Sequence, residues 1–261
     1  MKCGIIYLFK QHHKINGTLF YCFEYFKFIQ QYADINFYIV GANNDDIKLV
    51  KQLFSEKYTC NVDDIKTIKR TEIYSLKLDV TLVFDVHTFT KCKEFFSNNV
   101  HCYSNDTHGN FQYNNNRNVT YYGSYHYQKY DVFSYLKLNF NIFKKVNNTP
   151  GVFVSSVNTE YVQNNLDDWK KRYDKPIIVK RSYKGKGDIF NMIDTVHYVH
   201  WSLDKNNRII PEAFFYQKQL IIEHRTDIID SVNYRYDDIT NNGLDRYVLT
   251  LNDPMVQACL K

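Results

Sequence analysis

Short apolar runs of strand length recur along this chain, and most are followed by a polar turn and a stretch with helical spacing. Residues 3–9 form the first run, the loop 10–18 carries Gly17, and residues 19–32 have the pattern of an amphipathic helix. Residues 35–40 read as a second strand and 45–57 as a second helix, with Asn43 or Asn44 placed to cap it. Strands that are apolar along their whole length are buried on both faces, as in parallel sheets covered by helices. The pattern therefore predicts an α/β fold.

The alternation continues with a mixed stretch at 65–76 containing an edge strand, a buried strand at 79–85, a short helix at 91–98 and a strand at 99–103. The last strand runs into Ser104-Asn105-Asp106-Thr107-His108-Gly109. In open α/β sheets, polar groups at the carboxyl ends of strands face the ligand crevice. Asp85, Asp106 and His108 are therefore the catalytic candidates of this half. Residues 110–118 are polar and without periodicity, which marks a linker. A second half begins with a strand at 119–125 that breaks at Gly123-Ser124, followed by helical spacing at 128–136 and an apolar strand candidate at 138–143. Strands at 152–155 and 177–179 flank an amphipathic helix at 159–173, and a helical stretch at 188–193 precedes a strand at 196–201. The organisation expected is an N-terminal lobe at 1–112, a second lobe at 113–245, and a segment at 246–261 that returns to the first lobe as a helix.

With 261 residues the chain can bury one large or two small cores. Tyr and Phe are abundant and Gly and Trp scarce, the bias of an AT-rich genome, so no single Tyr or Asn run marks a site. A net charge of +5, spread along the chain, permits an acidic partner without the block of charge a dedicated DNA-binding arm shows. Six cysteines without a C-x-x-C pair point to buried thiols in a reducing cytoplasm. No apolar stretch is long enough for a membrane span or has the form of a signal peptide. There is no G-x-G-x-x-G, so a bound NAD or FAD is not indicated.

Residues 206–223 carry the most chemistry. Arg208 precedes a short helix opened by Pro211, in whose first turn Glu212 sits, and an apolar strand follows. A carboxylate at the mouth of an α/β sheet can accept both hydroxyls of a ribose, and an Arg can hold phosphate by charge-assisted bonds. The same two residues can instead form a pair that only fixes a loop. The loop 180–187 interleaves Lys180, Arg181, Lys184 and Lys186 with two glycines ahead of a helical stretch, which suits a diphosphate or an acidic acceptor. A solvated basic turn is the alternative. The spacing is not that of a Walker A loop, so ATP hydrolysis is not supported.

Arg208-x-x-x-Glu212-Ala213, a short helix and an apolar strand resemble the donor-binding segment of GT-B glycosyltransferases, in which the Glu grips the ribose of a nucleotide sugar. Over most of its length the chain resembles the compact β-type DNA glucosyltransferases of phages in the order of its elements and in short motifs. The resemblance implies two Rossmann-like lobes of GT-B type with a cleft between them. It makes Asp106, at the end of Cys102-Tyr103-Ser104-Asn105-Asp106, the counterpart of the family's base. Tyr122-Gly123-Ser124-Tyr125 fits the Gly-Ser turn at the donor phosphates, so Gly123, Ser124, Arg208 and Glu212 are donor-side residues, joined by Gly17, Arg181 and Lys184. Transfer in that family needs no bound metal or cofactor, and no Asp-x-Asp occurs here. A nucleotide sugar, such as a UDP-sugar, is then the co-substrate. The acceptor is a hydroxymethylated base in duplex DNA, which would place the protein in the host cytoplasm. A cell-surface glycan or small acceptor, or an inactive nucleotide-binding module, remain the other readings.

Overall fold

The computed structural model describes residues 1–9, 16–96, 99–103, 119–122, 136–155, 159–180, 189–199, 208–223 and 231–260. They fall into two compact units, Met1–Ile142 with Tyr247–Lys261, and Phe143–Arg246.

The first unit is a Rossmann-like α/β sheet. Its strands are β1 (Cys3–Leu8), β2 (Ile35–Val40), β3 (Ile65–Ile68), β4 (Val80–Val83), β5 (Val100–Tyr103) and β6 (Val119–Tyr122), in the spatial order β3-β2-β1-β4-β5-β6. All neighbours are parallel, with Cys3 opposite Ile35 on one side and Val80 on the other. This is the doubly wound order whose direction reverses between β1 and β4, the place where such sheets open a crevice at their carboxyl ends. Gly4 lets β1 lie close beneath Leu78: a Cβ there would come within 2.4 Å of the Leu78 side chain.

The sequence pattern predicts an amphipathic first helix, but α1 (Gly17–Ile29) is buried from Leu19 to Ile29, Glu24 and Lys27 included. It is a central helix, sealed on its second side by α2 (Asn44–Lys57). Phe23 stacks on Phe54 at 4.3 Å and sits 5.3 Å from Tyr58. Burying each such ring contributes about 1.5–3 kcal/mol before conformational entropy is subtracted. Glu24 tolerates burial because Tyr58 donates its hydroxyl to one carboxylate oxygen and Asn139 its backbone N–H to the other at 3.3 Å. Asn43 caps α2 through a reciprocal box with Asp46, as its position predicts.

Two expectations need correcting. Val119–Tyr122, read as the opening strand of the second half, pairs with β5 as the last strand of the first sheet, and the first unit runs on to Ile142. The apolar run 138–143 is not a strand. Leu138 makes a single bridge to Val248, and Phe140–Ile142 is a short 3-10 turn that buries Phe140. The tie between Asn139 and the buried Glu24 sets that conformation, a tertiary effect absent from the local pattern. Residues 247–260 pack with this turn: Tyr25 donates to the Asp253 carboxylate at 2.9 Å, and Asp253 caps α7 (Pro254–Gln257).

The second unit holds β7 (Val152–Ser155), β8 (Ile177–Lys180), β9 (Thr195–Val199) and β10 (Gln219–Glu223), parallel throughout and ordered β10-β9-β7-β8. The order again reverses, here between β7 and β9. Helix α4 (Thr159–Arg172) covers the face carrying Val152, Val154 and Val199, with Val162 and Trp169 turned into that core. Two further helices, α5 (Ile209–Phe215) and α6 (Ser231–Asn242), pack on each other, with Phe214 and Tyr236 5.7 Å apart. Among the described residues, no helix is long and apolar enough to cross a membrane.

Candidate functional site

Near the reversal point of the first sheet, Asn16 and Gly17 open α1, and Asp85 follows β4. Asn16 caps α1, accepting from the Leu19 N–H at 3.1 Å and from the Tyr7 hydroxyl at 3.1 Å. Gly17 is the first residue of that helix. Asp85 caps α3 (Val86–Cys92): one carboxylate oxygen accepts from the Thr88 N–H at 2.7 Å and the other from the Thr88 hydroxyl at 2.8 Å. Thr88 in turn accepts from the Leu8 N–H at 3.1 Å, which locks the helix start to the end of β1. Asp85 thus has a complete structural role where the sequence offered it a catalytic one. The helix it caps begins five residues before the helix predicted at 91–98. Its charge also acts on Tyr7, whose hydroxyl is held well above the ordinary range, first by burial and then by the nearby Asp85.

Arg208 and Glu212 come together in the second unit at the start of α5, which begins at Ile209, two residues before Pro211. The guanidinium places Nε at 2.8 Å and Nη2 at 2.7 Å from the same oxygen, Glu212 Oε1. This differs from the fork in which two nitrogens meet two oxygens. Glu212 is fully buried and Arg208 is 5% exposed, so the pair forms part of the interior. The Arg–Glu pairing that the sequence left open is therefore present.

Asp106, His108, Gly123, Ser124, Arg181 and Lys184 lie outside the described residues, as does most of the basic loop.

The structure also assembles a set of polar residues that the sequence pattern does not disclose. His197 lies in the middle of β9 with its side chain fully buried, and its Nε2 is 2.7 Å from Glu223 Oε2 at the carboxyl end of β10. Its Nδ1 meets the Tyr173 hydroxyl at 3.2 Å, and Tyr161 of α4 donates to the other Glu223 oxygen. A neutral imidazole satisfies every bond: Tyr173 donates to Nδ1, and Nε2–H and Tyr161 both donate to the carboxylate. Burial lowers the His197 pKa below its ordinary 6.5, opposed by the Glu223 charge. Burial, reinforced by the hydrogen bond to Glu223, pushes the Tyr161 hydroxyl up to about 12. Trp169 closes the site, 5.0 Å from the imidazole and edge to face with it. The signal available in sequence was Glu223 itself, a carboxylate ending an apolar strand, by the same rule that singled out Asp85.

Comparisons with protein-family models, with curated proteins and with solved structures found no match.

Proposed function

We propose that this protein is a nucleotide-sugar-dependent glycosyltransferase whose acceptor is a hydroxymethylated base in duplex DNA. The observation that carries the reading is the buried Arg208–Glu212 pair at the head of α5, the helix that lies between strands β9 and β10 in sequence. Support also comes from the two parallel sheets, each with a reversal of strand order at which α/β proteins bind nucleotides. In this reading donor binding exchanges partners. Arg208 turns its guanidinium to the donor phosphate, and the released Glu212 oxygen accepts the ribose hydroxyls. Arg181 and Lys184 complete the donor contacts.

The acceptor hydroxyl attacks the anomeric carbon, the bond from that carbon to the diphosphate oxygen breaks, and the acceptor proton passes to Asp106. Cationic side chains stabilise the departing nucleoside diphosphate. Direct attack of this kind inverts the configuration at the sugar. The test is mass spectrometry of hydroxymethylated duplex DNA incubated with the protein and mixed nucleotide sugars. The reading requires a mass gain of one sugar on the modified base and none on unmodified DNA.

A second reading, a nucleotide-binding module without transfer, is favoured by one observation: Asp85 and Glu212 are both committed to partners in the fold. Under it a nucleotide raises the unfolding temperature but no acceptor gains a sugar.

A further inference from the structure

Glu223 ends β10 with its carboxylate held from two sides. His197 Nε2 lies 2.7 Å from Oε2, and the Tyr161 hydroxyl donates to Oε1. The imidazole is itself held by the Tyr173 hydroxyl, 3.2 Å from Nδ1. The His197 side chain is fully buried, whereas that of Glu223 is 29% exposed. Burying an imidazole in the middle of β9 carries a desolvation cost that an apolar side chain would not. What it contributes is one fixed orientation for a carboxylate that solvent can reach, as interior groups do when they preorganise a binding side chain.

The topology brings this carboxylate to the same end of the second sheet as Arg208 and Glu212. Strands β9 and β10 are parallel, with Glu223 opposite Val199, so their carboxyl ends lie together. Helix α5 ends at Phe215 and β10 opens at Gln219, so the helix runs back along the sheet and its first turn lies toward those carboxyl ends. Among the described residues each Glu223 oxygen has one donor, and each has the lone pairs to accept a second. Two adjacent acceptors suit two adjacent hydroxyls, which a sugar ring presents.

We infer that Glu223 is a specificity-determining residue for the sugar of the donor, accepting two neighbouring ring hydroxyls, with His197 and Tyr161 as its positioning residues. The assignment rests on the nucleotide-sugar reading and divides the donor between two carboxylates: Glu212 takes the ribose and Glu223 the transferred sugar. A site built to accept hydroxyls discriminates strongly, because a ligand without them leaves the carboxylate desolvated and short of donors.

The experiment is calorimetric titration of the folded protein with UDP, ADP, GDP, CDP and dTDP and with the glucose conjugate of each. One diphosphate and its conjugate are expected to bind. Glu223→Gln should then weaken the conjugate by about 10–100-fold and hold the free diphosphate within about twofold. Tyr161→Phe keeps the ring and removes the positioning hydroxyl, so it should weaken the conjugate by about threefold with the diphosphate unchanged. It carries the test should Glu223→Gln not fold. A purely structural role for Tyr161 would lower the unfolding temperature and leave the ratio of the two affinities as it was. Equal losses for conjugate and diphosphate, or no loss for either, overturn the assignment while the nucleotide-sugar reading stands. Binding of none of these compounds to the unsubstituted protein overturns both.

Discussion

Arg208 directs two nitrogens, Nε and Nη2, to one oxygen of Glu212 inside a fully buried pair. An exposed first-turn carboxylate contributes only about 0.3–1 kcal/mol to its helix. Removing one member of a buried ion pair costs about 3–5 kcal/mol, because the remaining charge stays out of water. Arg208→Ala is therefore expected to lower stability by that amount in urea denaturation. Arg208→Met combined with Glu212→Leu should recover most of it. A loss below about 1 kcal/mol in the single variant would show that the pair is solvated in solution.

Asp85 and Asp106 separate structure from chemistry. Asn caps a helix about as well as Asp, so Asp85→Asn should fold normally, while Asp85→Ala should lose about 0.5–2 kcal/mol with the α3 cap. If Asp106 is the base, Asp106→Asn lowers turnover by about 10²–10⁴ and leaves donor affinity unchanged. Steady-state kinetics on both Asn variants decides it. Loss of turnover in Asp85→Asn alone would move the base to the end of β4.

His197 gives stability a pH dependence of known sign. Its folded pKa lies below 6.5, so on acidification the unfolded chain takes up the proton first and the folded state loses stability. Full stability is present above pH 6.5 and declines below it, by at most about 1.4 kcal/mol per pH unit from this one group. The charged and titratable groups facing the ring are Glu223, Arg172 and Tyr173, with Tyr161 bonded to Glu223. Urea denaturation at pH 7.5, 6.5 and 5.5 should show a smaller decline in His197→Gln than in the unsubstituted protein. Equal slopes would mean that the imidazole titrates as it does in water.

If duplex DNA is the acceptor, binding should weaken with salt at a log–log slope of about −0.9 per phosphate contacted. Replacing Lys186 should flatten that slope by about one unit while donor affinity holds. Lost nucleotide-sugar affinity in that variant would instead assign the loop to the diphosphate.

How much of this was legible in sequence follows the range of each interaction. Strand β2 and the Asn43 cap are written within a few residues, and both stand where the pattern puts them. The strand at Val119–Tyr122 was visible, but parallel pairing leaves no local trace, and its place beside β5 was not. The run 138–143 looks like a strand until Asn139 is seen bonded to a glutamate 115 positions away. The Arg208–Glu212 pair could be anticipated because its members are one helical turn apart. His197 and Glu223, 26 positions apart on neighbouring strands, could not.

If Arg208 and Glu212 form a nucleotide-sugar site, calorimetric titration with a panel of nucleotide sugars should find one that binds the unsubstituted protein. Folded Glu212→Gln should bind that compound with about 1.5–3 kcal/mol less free energy, the scale of a hydrogen bond to a charged group. Absence of binding by every member of the panel, or equal affinity in the two proteins, would contradict that assignment.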